Sequence, residues 1–99
     1  MDWRPEAPME TEALRERLAD DLRLRRNPAS RFSFIRRDTN SMLLFVDGDC
    51  YECSKETGAL AEKLCAQDRT EIDPELRSSD SAMELISNLF NQGSLAFEP

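Results

Sequence analysis

Histidine is absent from the 99 residues of this chain. Its absence excludes Ser-His-Asp triads, cysteine–histidine nucleophiles and the iron site made of two histidines and a carboxylate. The sequence also lacks a glycine-rich phosphate loop and any apolar run of about 18 residues, the length that a membrane-spanning helix needs. We therefore predict neither an enzyme built from this chain alone nor a membrane protein.

Cysteine is scarce as well: the chain contains three, and their spacing does not match a disulfide framework. This pattern predicts reduced thiols and a cytoplasmic location. Cys50 and Cys53 have the C-x-x-C spacing of a zinc ribbon, but a second pair would be needed and only Cys65 remains. Residues three apart in a strand also point to opposite faces. We interpret the thiols as core or surface residues and predict no metal or cofactor in this chain.

Charged residues are numerous, but acidic and basic residues lie in different parts of the sequence, and the net charge is -7. Residues 38–99 contain four basic and thirteen acidic side chains, whereas residues 23–37 contain six arginines and no acid. Those arginines are Arg23, Arg25, Arg26, Arg31, Arg36 and Arg37. Two interpretations stay open: a patch for RNA or phosphate, and solvated strand edges paired with surrounding acids. The second is favoured because an acidic protein repels a polyanion.

The first half of the chain predicts a helix followed by a small sheet. Residues 1–8 contain two prolines and are predicted to be a linker or leader, with a single domain over residues 9–98. Leucines at 14, 18 and 22 predict a helix capped by Thr11. Residues 32–37 alternate as a strand does, and Asp47-Gly48 follows an apolar run at 42–46. This pair of turn residues predicts a hairpin, and the three strands together predict an antiparallel meander.

The second half predicts three helices and a closing strand. Ser54 precedes the first helix, Asp73-Pro74 starts the second, and Asp80 or Ser81 caps the third. Residues 70–72 form a brief extended piece, and Gly93 ends the last helix in the left-handed conformation. This order is typical of a winged helix, whose longer helix enters a DNA groove. Here the outer face of that helix carries Glu84 and Asn88 but no basic residue, which indicates protein contact rather than DNA contact.

The predicted fold class is therefore α+β and winged-helix-like: an N-terminal helix, a three-stranded antiparallel meander, three helices and a closing strand. The predicted core contains apolar residues from every one of these elements. They are Leu14, Leu18, Phe32, Phe34, Leu43, Phe45, Leu60, Leu64, Ile72, Leu76, Leu85, Ile86, Leu89, Leu95 and Phe97.

Four short stretches carry a resemblance to a known family. They are RNPASRF at 26–32, LLFVDG at 43–48, LAEKLC at 60–65 and NQGSL at 91–95. Over residues 9–98 the chain resembles the C-terminal winged-helix domain of the ROXA-like bacterial ribosomal oxygenases.

The resemblance implies a relation to JmjC/cupin-type oxygenases that use Fe(II) and 2-oxoglutarate. Such enzymes hydroxylate a residue of a large-subunit ribosomal protein. Their iron and 2-oxoglutarate residues belong to a catalytic domain with no counterpart in this sequence, so none is carried over. The chain is then either an excised domain, with that catalytic domain as a partner, or a stand-alone relative.

Two functions are consistent with these observations. The first is a non-catalytic, substrate-docking module that contacts another protein through a surface containing Glu84 and Asn88. A basic ribosomal protein is one such partner. The second is a nucleic-acid-binding winged helix that uses the Arg23–Arg37 segment. The overall acidity favours the first and disfavours DNA as a partner.

Overall fold

The computed structural model describes residues 5, 7–20, 23–39, 41–54 and 56–98. The elements in chain order are α1 (Thr11–Ala19), β1 (Arg23–Arg26), β2 (Phe32–Arg36), β3 (Ser41–Val46), β4 (Asp49–Ser54), α2 (Glu56–Ala66), β5 (Arg69–Glu71), α3 (Pro74–Ser78), α4 (Asp80–Asn91) and β6 (Leu95–Glu98). This order confirms the predicted α+β, winged-helix-like fold. The predicted linker at residues 1–8 lies mostly outside the described residues, as does Leu22.

The strands form two antiparallel sheets, in the orders β2-β3-β4 and β5-β1-β6. The first sheet is the predicted meander. Its hairpin turns at Asp47 and Gly48, which have φ values of 53° and 91°. Both residues thus adopt the left-handed conformation that a two-residue hairpin of this type requires.

The sequence predicts β6 and an extended piece near β5, but it does not predict β1 or the second sheet that these three strands form. Its central strand, β1, has the sequence Arg-Leu-Arg-Arg, in which Leu24 alone is fully buried. A four-residue strand with one apolar residue gives no period-two signal. The strand forms because β5 and β6 pair with it on both sides.

Two of the predicted helix caps are displaced by one residue. Helix α1 begins at Thr11, so Glu10 occupies the cap position and makes no side-chain bond there. For α4 the cap is Ser79, whose hydroxyl accepts a hydrogen bond from the backbone N–H of Ala82 at 3.2 Å.

The start of α3 and the end of α4 follow the predictions. Asp73 caps α3 by accepting a hydrogen bond from the Leu76 N–H at 2.9 Å, and Pro74 is the first helical residue. Gly93 follows α4 with a φ of 88°. Ser54 is the last residue of β4, and its N–H donates to the Thr57 hydroxyl at 2.8 Å.

One core lies between the sheets and the helices. The helical core prediction is confirmed, because Leu14, Leu18, Leu60, Leu64, Leu76, Leu85, Ile86 and Leu89 are all buried. Ile72 and Leu95 are buried too, and Phe32 and Phe97 are partly buried against the core.

The core prediction for β3 is wrong. Met42, Leu44 and Val46 are buried, whereas Leu43 and Phe45 lie on the opposite, partly exposed face. Phe34 on β2 is also exposed rather than buried. A continuous apolar run has no alternation to mark its inner face, so the register of β3 with β2 and its packing against α2 decide which residues turn inward.

Candidate interaction surfaces

The six arginines of residues 23–37 do not converge on one patch. Arg23, Arg25 and Arg26 lie on β1, in one sheet, while Arg36 lies on β2, in the other. Arg31 and Arg37 flank β2. A sequence segment that is uniformly basic is therefore distributed over separate surfaces once it folds.

Four of these arginines form ion pairs with acids that are distant in the sequence. Arg23 pairs with Glu71 at 2.8 Å and Arg37 with Glu52 at 3.3 Å. Arg36 pairs with Glu62, and Arg26 with Asp68 at 3.0 Å. Each such surface pair is worth about 0–1 kcal/mol, but together the acids offset much of the positive charge offered to a polyanion.

Arg26 also closes the end of α2. Its guanidinium donates to the backbone carbonyls of Leu64 at 2.9 Å and Cys65 at 3.0 Å. Carbonyls at a helix C-terminus lack partners within the helix, and a cation there is favoured by the helix dipole. Arg26 thus holds the end of α2 to β1.

Glu84 and Asn88 lie together, because residues four apart share one face of a helix. With Ser81 they form one wall of a groove of about 380 Å³ between α4 and β4. Glu52 on β4 lines the groove from the other side. Within the described residues that line it there is no lysine or arginine, so this is an acidic groove; we refer to it below as the α4–β4 groove.

Sequence reasoning missed the contribution of Glu52 to this groove. Glu52 lies on β4, and nothing in its local sequence shows that α4 packs beside that strand. The available signal is the hairpin register, which places Glu52 and Cys50 on the same face of the sheet.

A polar network connects the hairpin turn to the residues after α4. The Tyr51 hydroxyl donates to Gln92, whose side-chain amide donates to the Ser94 hydroxyl at 2.9 Å. The Ser94 hydroxyl in turn donates to the Asp47 carboxylate at 3.3 Å. That carboxylate also accepts from the backbone N–H of Arg31 at 2.8 Å. One carboxylate therefore connects β2, the β3–β4 turn and the start of β6.

These contacts set the protonation of the network. For Asp47, desolvation acts to raise the pKa, but the hydrogen bonds from the Arg31 N–H and from the Ser30 and Ser94 hydroxyls outweigh it, so the pKa lies below its ordinary value. Burial, together with the charge of Asp49, raises the pKa of Tyr51. At neutral pH the network thus holds an ionised carboxylate and a neutral phenol.

We expect the substitution Asp47→Asn to remove a pH-dependent part of the stability. A carboxylate with a depressed pKa stabilises the fold above its unfolded pKa of about 3.9, and this contribution is lost as pH falls through the folded pKa. Asparagine also tolerates the positive φ of this position.

Urea denaturation between pH 3 and pH 7 is the measurement. Because Asp47 is exposed, the variant is expected to lose only about 0.5–1 kcal/mol at pH 7. The difference from the wild-type protein should shrink toward pH 3. A difference that stays constant over this range would show that the charge of Asp47 is not involved.

The cysteines occupy three different environments: Cys50 is exposed, Cys53 is buried and Cys65 is partly buried. Burial raises the pKa of the Cys53 and Cys65 thiols, which makes them weak nucleophiles and weak metal ligands at neutral pH. Within the described ranges, no group of three or more cysteine and acidic side chains is arranged to hold a metal ion. No helix in the described part of the chain is long and apolar enough to cross a membrane.

Together these features define a winged-helix-like domain whose last long helix is acidic and whose basic residues are dispersed. Such a domain has the shape of a DNA-reading module, but its longer helix α4, all of which lies within the described residues, contains no lysine or arginine. The chain belongs to the ROXA-like winged-helix family, whose sequence profile matches residues 2–96.

Solved structures of a ribosomal oxygenase share the fold. The chain superimposes on the Escherichia coli ribosomal oxygenase YcfD with a TM-score of 0.73 and 16% identity, over 96% of this chain and 25% of that one. The structure of YcfD with cobalt and 2-oxoglutarate gives a TM-score of 0.74 at 16% identity, over 97% of this chain and 25% of that one. The chain thus spans about a quarter of those proteins. No curated protein matches the sequence.

Proposed function

We propose that this chain is a non-catalytic accessory domain of a ribosomal-protein hydroxylase and that it docks a basic protein through the α4–β4 groove. The observation that carries the proposal is the acidic groove, on a fold that makes up about a quarter of a ribosomal oxygenase. In this proposal Fe(II) and 2-oxoglutarate are held by a separate catalytic domain. A cytoplasmic location, where ribosomal proteins are made, belongs to the same proposal.

Electrostatics support a basic partner. The groove is lined by Glu84 and by Glu52, whose charge is partly offset by its ion pair with Arg37. From residue 78 to residue 99 the sequence contains no lysine or arginine. Ribosomal proteins are rich in lysine and arginine, so this field raises their rate of encounter and orients them. The same field opposes a phosphate backbone.

Charge reversal in the groove tests the proposal. We expect Glu84→Lys to weaken the binding of a lysine- and arginine-rich ribosomal-protein peptide about fivefold at low salt, since one charge at a partly desolvated rim is worth about 1 kcal/mol. Fluorescence anisotropy with a labelled peptide, over a series of salt concentrations, is the measurement. Affinity for the wild-type protein should fall as salt rises.

Glu16→Lys is the matched control, because Glu16 is an exposed glutamate in the middle of α1 and does not line the groove. It changes the net charge equally and is expected to leave binding nearly unchanged. Equal weakening by both variants, or no binding of the peptide, would refute docking in the groove.

A mobility-shift assay with duplex and single-stranded nucleic acid tests the alternative function, nucleic-acid binding through the Arg23–Arg37 segment. Binding that falls steeply with salt and is lost when Arg25, Arg26 and Arg36 become alanine would establish the nucleic-acid function instead.

A further inference from the structure

Strand β2 forms an open edge of its sheet. Toward β3, the Arg31 carbonyl accepts from the Asp47 N–H at 3.0 Å and the Arg37 N–H donates to the Ser41 carbonyl at 3.1 Å. In an antiparallel ladder the backbone groups alternate between the two sides, so those of Phe32, Phe34 and Arg36 point away from β3. Among the described strands none pairs with this second side.

The open edge also carries exposed apolar side chains. Phe34 and Ile35, both on β2, are the large apolar residues of the described chain that are exposed, at 37% and 58%. Ile35 lies beside Leu43 on the outer face of the sheet. An edge strand with free backbone groups and apolar side chains is a template for another strand.

Charge selects the kind of strand that this edge accepts. Residues 31–37 read RFSFIRR, with three arginines and no acid. The pair of Arg37 with Glu52 lies at the surface, where an ion pair is weak enough to be exchanged for another. The acids of an added strand would therefore meet Arg31 and Arg37 at the two ends of β2.

A second copy of the chain fits the edge poorly. In an antiparallel pairing of β2 with itself centred on Phe34, Arg31 of each copy would lie opposite Arg37 of the other. Like charges directly opposite each other across two strands are destabilising. The arginines thus act against self-pairing while remaining open to an acidic strand.

We propose that β2 is a docking edge that binds an extended acidic segment of a partner protein by strand addition. Acidic side chains at alternate positions face Arg31 and Arg37, and the apolar side chains between them pack beside Phe34. The backbone of the segment bonds to that of Phe32, Phe34 and Arg36. This edge lies on the other side of the sheet from β4 and meets the α4–β4 groove at the ion pair of Arg37 with Glu52. The inference does not depend on the proposed function.

A synthetic peptide of about eight residues, alternating valine and glutamate, is the probe. We expect NMR hydrogen exchange to show slower exchange of the Phe34 and Arg36 amides on binding. The amides of Ile35 and Arg37 already bond to β3 and should change little. Protection at every second residue is a signature that non-specific adsorption does not produce.

Arg37→Glu and Arg23→Glu form a matched pair of variants. The two arginine side chains are 54% and 55% exposed, and each forms a surface pair with one glutamate. We expect Arg37→Glu to weaken peptide binding about fivefold or more, and Arg23→Glu to have a much smaller effect. A peptide with lysine in place of glutamate should prefer the Arg37→Glu protein.

The inference is overturned by any of three results: no binding of the alternating peptide, equal binding of a scrambled peptide of the same composition, or protection that does not alternate along β2. None of these results bears on the α4–β4 groove, which is tested with a basic peptide.

Discussion

Replacing Leu44 by alanine is expected to lower the free energy of unfolding by about 3 kcal/mol. Leu44 is fully buried at the centre of β3, where Phe34 and Tyr51 are its cross-strand neighbours. The truncation removes apolar contacts and leaves a cavity that neighbouring strands cannot readily fill. Since a small domain has only about 5–15 kcal/mol of stability, a loss of this size is plainly visible in urea denaturation.

Leu43→Ala is the matched control, one residue away on the same strand. Leu43 lies on the outer face, between Ile35 and Glu52, and stays partly in contact with water. Its truncation is expected to cost less than about 1 kcal/mol. Equal losses in the two variants, or a larger loss for Leu43→Ala, would mean that the assigned inner face of β3 is wrong.

Helix α4 and strand β3 show where the sequence predicts the buried residues correctly and where it does not. In α4 the apolar positions recur with helical spacing, so Leu85, Ile86 and Leu89 were assigned to the core correctly. In β3 five consecutive residues are apolar, and either alternate set satisfies the pattern. The register with β2 decides, and that register depends on contacts across the chain that no local pattern encodes.

The candidate surfaces divide in a similar way. The pairing of Glu84 with Asn88 follows from helical spacing alone, and the basic character of residues 31–37 follows from composition. The acidic partners of the arginines cannot be predicted from either feature. Glu71 meets Arg23, and Glu62 meets Arg36, because β5 and α2 are brought beside β1 and β2 by the packing of the whole domain. Four of the six arginines in residues 23–37 therefore have acidic partners in the fold, which their own sequence segment does not contain.

One buried polar residue holds the turn between β1 and β2 in place. Asn27 is buried between the end of β1 and the turn after α4. Its side-chain amide donates to the Gly93 carbonyl at 2.9 Å, and its side-chain oxygen accepts from the Ala29 N–H at 2.9 Å. Its own N–H donates to the Ser94 carbonyl at 2.9 Å. Asn27 thus fixes the β1–β2 turn and attaches it to β6.

Asn27→Ala is expected to lower the free energy of unfolding by about 2 kcal/mol. The loss arises mainly because the buried Gly93 carbonyl is left without its side-chain partner, which costs about 1–3 kcal/mol, whereas the N–H of the exposed Ala29 can bond to water. Asn88→Ala, which removes the same amide from an exposed position, is expected to change stability by less than about 0.5 kcal/mol. Urea denaturation of the two variants makes the comparison.

Asn27→Asp gives the sharper form of this test. Aspartate keeps the acceptor for the Ala29 N–H but places a carboxylate against the Gly93 carbonyl, and burial without a compensating partner raises the pKa of a carboxyl group. This variant should therefore be less stable at pH 7 and recover as the pH falls, since a protonated carboxyl can donate to Gly93. A loss that does not change with pH would mean that the side chain of residue 27 does not donate to Gly93 in solution.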